Sequence, residues 1–306
     1  MATNSPQICL VGANGNLGSV LLPALLDAGF PVTVLHRSNS TNPAPLKHEN
    51  LSLLPVDKDF PIPEVTKALK PFKVVIAAFP LPNQLQLHLR LAYASASAGV
   101  ERFIPADFGS CDAASPEALK RLQLYRDKVK VRERCEELAR EFKTFSWTAL
   151  VCGHFFDWGL RAGFLHFDIK KQESLILDGG DIPASASTLR RVGEATVAVL
   201  NRLEETKNKT LYVQSFNPSQ NQVLASLEKA TGAKWKVNQA DSQTFLEEQQ
   251  KKVDAGDRHA VEDVVFALGA IDADWTKKDA FAMELLGLKD EDLDQVVKEV
   301  VDGFAG

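Results

Sequence analysis

The sequence predicts an α/β fold built on a doubly wound parallel sheet, and three observations carry that expectation. Short, wholly apolar runs such as Ile8 to Val11 and Val74 to Ala78 suit strands buried on both faces. Segments with leucines and alanines at helical spacing alternate with such runs over the first 150 residues. Glycines at positions 12, 15 and 18 stand where the first strand hands over to the first helix.

The stretch GANGNLG, residues 12–18, leads into a helix marked by Leu17, Leu21, Leu22, Leu25 and Leu26 and closed by Gly29. Pro31 to Leu35 is the next strand, so the glycines occupy the first turn of a βαβ unit. There Gly12 permits a tight bend, Gly15 leaves room for a pyrophosphate beside the backbone, and Gly18 lets helix and strand pack closely. Gly12, Asn14, Gly15, Asn16, Leu17 and Gly18 are therefore the expected phosphate cradle of a dinucleotide, and the fold around them is of the NAD(P)-binding Rossmann type. No acidic residue closes the second strand to hold a ribose diol. His36-Arg37-Ser38 offers a cation and a hydroxyl instead, which favours NADPH/NADP with Arg37 on the 2′-phosphate.

After the strand at Val74 to Ala78, the prolines of FPLPNQ delay a helix until Gln84, and this loop, with Phe79 at its head, is expected to face the cofactor. The helix from Gln84 to Ala98 carries Leu85, Leu89, Ala92 and Ala96 as its apolar positions and ends at Gly99. Arg102 to Ile104 is a short strand, and PADFGS turns at its carboxyl end, where open α/β sheets bind ligands. A helix capped by Ser115, with Pro116 in its first turn, is expected to run to about Phe142, before a strand at 144–151. GHFFDWGL, residues 153–160, then lies at the ligand edge of the sheet. Its Phe155, Phe156 and Trp158 read either as a stack for an aryl substrate or as ordinary core, and His154 as a candidate general acid or a structural residue. TLRRVGEATVAVL and TLYVQS return to the Rossmann edge, while residues 233–306, with Trp235, Phe245, Phe266 and Trp275, build a helical part. The expected domains are thus 1–152 with about 186–232 for the cofactor, and about 153–185 with 233–306 for the substrate.

Composition excludes several classes. A chain of 306 residues with 45% hydrophobic and 25% charged residues is globular. A net charge of −5 and a pI near 5.8 leave no basic footprint for nucleic acid. No apolar run approaches the roughly 20 residues of a membrane span, and MATNSPQICLVG lacks the regions of a signal peptide, so a cytoplasmic protein, monomeric or homodimeric, is expected. Cys9, Cys111, Cys135 and Cys152 show no CxxC spacing and read as reduced, mostly buried thiols; no cluster has metal-ligand spacing.

GANGNLG, GVERFIPADFG, DKVKVRERCEELA and LVCGHFFDW, in this order and spacing, resemble the isoflavone reductase-like proteins, the NmrA-like atypical short-chain dehydrogenases. LILDGGDIPASASTLRRVGEA, KTLYVQS and LLGLKDEDLDQVV extend the resemblance over most of the chain, especially toward fungal members. The resemblance implies an NADPH-dependent reductase acting on an enone, quinone or benzylic ether, in secondary metabolism. It also implies that Lys128, in a DKxxxR pattern, is the catalytic residue beside the nicotinamide ribose. Tyr125 stands where the family usually carries phenylalanine, and Ala106-Asp107 where it carries serine and glutamate, which removes a hydroxyl near the nicotinamide. Phe108 and Tyr125 join the aromatic candidates for the substrate pocket. The alternative is an NmrA-like regulator that senses NADP(H) without turnover, a class lacking the lysine.

Overall fold

The computed structural model describes residues 6–42, 44 and 46–305. The chain divides into two compact units, one of residues 1–107, 124–150 and 193–211, the other of 108–123, 151–192 and 212–306.

The first unit is organised by a sheet. Its strands are β1 (Ile8–Val11), β2 (Val32–Arg37), β3 (Leu51–Val56), β4 (Val74–Ala77), β5 (Arg102–Ile104), β6 (Ser146–Val151) and a seventh at Lys209–Tyr212. They lie in the order seventh, β6, β5, β4, β1, β2, β3, as a parallel sheet. All four residues of β1 are at most 3% exposed, which is why this strand reads as an unbroken apolar run. Helix α1 (Gly18–Asp27) buries Leu21, Leu22, Leu25 and Leu26 along one stripe. Each leucine so withdrawn contributes about 1.5–3 kcal/mol, and truncation of any one to alanine opens a cavity in the layer. The chain turns from β1 toward β2 and β3 on one side and returns to β4 and β5 on the other. That reversal leaves a crevice at the carboxyl ends of β1 and β4.

Four features depart from the sequence expectation. β3 and helix α2 (Ile62–Leu69) are additional elements. β3 is an edge strand that carries Pro55 and leaves Leu53 49% exposed, so it lacks the apolar run that marks its neighbours. Helix α3 (Leu85–Ala98) ends at Gly99 with φ 87°, as expected, but its buried stripe runs through His88, Leu91, Ala92, Ser95 and Ala96, with Leu85 and Leu89 only half-buried at its margin. The single helix expected from Ser115 to Phe142 is two. Ser115 Oγ caps α4 (Pro116–Arg121) by accepting from Ala118 N at 3.3 Å, but Leu122 is extended (φ −121°, ψ 133°) before α5 (Gln123–Glu141) begins. Leu122 breaks the helix without glycine or proline and buries its side chain in doing so. Finally, residues 108–123, 151–152, 186–192 and 212–232 fall in the second compact unit, whereas the sequence reading groups them with the first.

The second unit packs helices at Phe156–Ala162, Gln220–Thr231, Ser242–Asp254, Arg258–Ile271 and Leu293–Ala305. They accompany a small mixed sheet in which Lys236–Ala240 runs parallel to Glu173–Leu177 and Phe167–Asp168 antiparallel to it. Phe156, Phe167, Ile176, Phe216, Leu227 and Trp235 form one core cluster there. All four cysteines are buried thiols, and burial pushes those of Cys9 and Cys135 well above the ordinary thiol range.

Candidate functional site

The three glycines of the β1–α1 turn are required for different reasons. Gly12 has φ 94°, and a Cβ there would lie 2.7 Å from the backbone nitrogen of Phe79. A Cβ at Gly18 would lie 2.0 Å from the carbonyl oxygen of Gly12. The protein's own backbone thus forbids any side chain at both positions. At Gly15 the nearest atoms would be 3.6 Å away, an ordinary contact, so the protein itself leaves room for a side chain. No side chain caps the start of α1 and no acidic residue stands in its first turn. The N–H groups of Ser19, Val20 and Leu21 bond to backbone carbonyls of the turn, and the helix presents the positive end of its dipole with no carboxylate in its first turn. Asn14 donates its side-chain amide to the carbonyl of Asn42, which ties the turn to the loop after β2.

Gly12, Asn14, Gly15, Arg37 and Phe79 line one cavity of about 340 Å³, together with Ser40 and Phe60. Arg37 is exposed at the end of β2, and among the described residues no aspartate or glutamate lines the cavity. A cradle in which Gly15 leaves open space, beside the positive end of a helix and an unopposed cation, fits a phosphorylated dinucleotide. Asn16, Leu17 and Gly18 belong to the turn but not to the cavity wall. Phe79 is half-buried, 6.1 Å from Phe60 and stacked on His88 at 3.7 Å and 11°. His88 and Phe60 escaped the sequence reading: His88 lies inside an otherwise apolar helix stripe, and Phe60 follows the unmarked edge strand.

Lys128 lies elsewhere in the same unit. It is buried on α5 and donates from Nζ to the backbone carbonyl of Asp107, while Arg132, one turn on, pairs through Nε with the Asp107 carboxylate. One residue of the turn after β5 is thus gripped twice by one helix face. Lys128, Asp107, His88 and Leu81 border a narrow cleft separate from the larger cavity. Tyr125 is fully buried, and Lys130 is exposed, 3.7 Å from Asp127.

The aromatic candidates of the second unit are packed inside it. His154 is buried with Nε2 3.4 Å from the Val265 carbonyl, and desolvation lowers its pKa to about 4. A Cβ at Gly269 would lie 2.3 Å from that nitrogen, so the helix Arg258–Ile271 rests directly on the ring. Phe156 is buried edge-on to Phe216 at 4.7 Å. His154 and Phe156 line a cavity of about 50 Å³, below the range of roughly 300–1,000 Å³ usual for ligand sites. Phe155 and Trp158 are half-buried, Trp158 5.8 Å from Phe164. Phe108 is buried with φ 40°, a left-handed conformation uncommon outside glycine. Among the described residues no group of three or more His, Cys, Asp or Glu could hold a metal, and no helix is long and apolar enough to cross a membrane.

The chain is similar to known proteins over nearly its whole length. Oxidoreductase aprR of Aspergillus flavus is 32% identical over 313 residues, covering 97% of this chain and 99% of that protein. The crystal structure of isoflavone reductase matches with a TM-score of 0.75 at 22% identity, covering 96% of this chain and 99% of that one. AtPrR2 with NADP+ and (+)pinoresinol matches with a TM-score of 0.75 at 20% identity, covering 97% and 99%. The profile of the NmrA-like family matches residues 4–279, which takes in the glycine turn, the Arg37 strand end and Lys128 together, and the chain is a member of that family.

Proposed function

We propose that this oxidoreductase binds NADP(H) in the cavity above the β1–α1 turn and reduces a conjugated or aromatic small molecule of the enone, quinone or benzylic ether type. A role in secondary metabolism accompanies that substrate class. The observation that carries the reading is Gly15: the protein has space for a side chain there, so the reason for glycine lies in what enters the cavity. Arg37 and the absence of carboxylates among the described residues of the lining favour the 2′-phosphorylated cofactor. AtPrR2, a relative in fold, is known with NADP+ and an aromatic compound.

The bound dinucleotide supplies the hydride. In this reading Gly12 and Gly18 hold the turn closed, the amino end of α1 and the loop N–H groups bind the pyrophosphate, and Arg37 fixes the far end. Lys128 holds the nicotinamide ribose and donates a proton to the reduced substrate, with its amine oriented by the Asp107 carbonyl and Asp107 oriented by Arg132. Recognition of the substrate falls to the second unit.

The test mixes the whole protein with NADPH and a panel of aryl enones and quinones and follows absorbance of the reduced nicotinamide. Oxidation of NADPH with at least one class is expected. Tight NADPH binding without turnover on any of them would instead identify a redox sensor.

A further inference from the structure

We propose that His88 is a positioning residue for the adenosine half of the cofactor site, holding the ring of Phe79 as a flat wall and fixing the carbonyl of Pro80; this rests on the NADP(H) reading above. His88 occupies the buried stripe of α3 and has no exposed surface. Its Nε2 lies 3.2 Å from the carbonyl of Pro80, so that nitrogen carries the hydrogen and donates it. Nδ1 is left as a buried acceptor without a partner. An unsatisfied buried nitrogen is costly, and a leucine would fill this space without that penalty.

What a leucine lacks is a plane and a donor. The imidazole lies face to face with Phe79, and it binds the carbonyl of the very next residue. Phe79 and Pro80 both line the large cavity, as do Phe60, Arg37 and Ser40. Because Arg37 takes the 2′-phosphate, the flat group that meets this aromatic wall is the purine. Burial also holds the imidazole at a pKa of about 4, so the ring stays neutral with its single hydrogen committed to Pro80.

The experiment uses the full chain and the variants His88→Phe, His88→Leu and His88→Ala, each titrated with NADPH and with 2′,5′-ADP, a probe that carries the adenosine end alone. His88→Phe keeps the flat face but leaves the Pro80 carbonyl without its donor, and it is expected to weaken both ligands by about threefold, less than His88→Leu does. His88→Leu keeps volume but not the plane, and both affinities are expected to fall about 5- to 20-fold. Its kcat at saturating NADPH should stay within about twofold, a split that general loosening of the fold would not produce. His88→Ala should weaken both ligands at least as far; if it fails to fold, the phenylalanine and leucine variants decide. A folded His88→Leu protein that binds both ligands as the unaltered protein does overturns the proposal, as does a fall in kcat with unchanged affinities. An unaltered protein that binds neither ligand removes the cofactor reading itself, and the role of His88 with it.

Discussion

The β1–α1 turn and the aromatic run at residues 154–158 are both short motifs at strand ends, and folding uses them in opposite ways. In the turn, two glycines are demanded by backbone contacts under 3 Å and the third, Gly15, faces open cavity. In the run, His154 and Phe156 are enclosed by Phe216, Phe266 and the flat face at Gly269. A glycine in a constrained turn reports where a side chain cannot go, which is specific information about backbone and ligand. An aromatic side chain reports only a need for apolar surroundings, which core and pocket satisfy equally.

The largest effect that could break this contrast is on turnover. Lys128→Ala is expected to lower kcat by about 10² to 10⁴, while Phe156→Leu, a packing change in the second unit, leaves it near the unaltered value. Steady-state rates showing the reverse would move the chemistry to the aromatic run.

Next come the glycines themselves. Gly18→Ala drives a methyl into the Gly12 carbonyl and should cost about 3 kcal/mol of stability, read as a lower melting temperature. Gly15→Val should melt close to the unaltered protein yet lose NADPH binding. Normal NADPH titration of a folded Gly15→Val protein would show that the cavity above this turn is not the phosphate site. At the far end of that cavity, Arg37→Ala is expected to weaken NADPH by about 1.5–3 kcal/mol and leave NADH nearly unchanged. Equal losses for the two cofactors, measured by titration, would remove Arg37 from the 2′-phosphate.

Acid acts on both regions at once. Burial lowers the pKa of His88 and of His154 from 6.5 to about 4. Between those values the unfolded chain takes up protons that the folded chain refuses, so stability is full above pH 6.5 and is lost as pH falls toward 4. From pH 7 to pH 5 each histidine should remove about 2 kcal/mol. Melting curves of His88→Phe and His154→Phe at the two pH values should each show a shallower loss than the unaltered protein. The smallest effect is expected at Tyr125→Phe, which deletes one hydroxyl from a fully buried ring and should retain most activity in single-turnover assays. A dead Tyr125→Phe variant beside an active Lys128→Ala one would reverse their roles.

Much of the first unit was legible because burial on both faces forces strands such as β1 and β4 into continuous apolar runs. β3 escaped notice because an edge strand has one ladder to satisfy, and so tolerates Pro55 and an exposed Leu53. The break at Leu122 carries no local signal: neither glycine nor proline stands there, and the extended residue is itself buried. In the site, the glycines and Arg37 could be read from spacing because a strand, a turn, a helix and a second strand follow one another directly in sequence and mark their places. His88 could not, since its meaning depends on Phe79, which meets it only after the chain has folded back.

The four buried thiols divide evenly, Cys9 and Cys135 in the first compact unit and Cys111 and Cys152 in the second. A buried, protonated thiol reacts with an alkylating reagent only after the segment around it opens. The protein therefore carries two built-in clocks for each unit, and mass spectrometry of timed alkylation would record whether the two halves of the chain breathe together or separately. NADPH added during labelling should slow the Cys9 clock, because that residue lies in β1, directly before the turn.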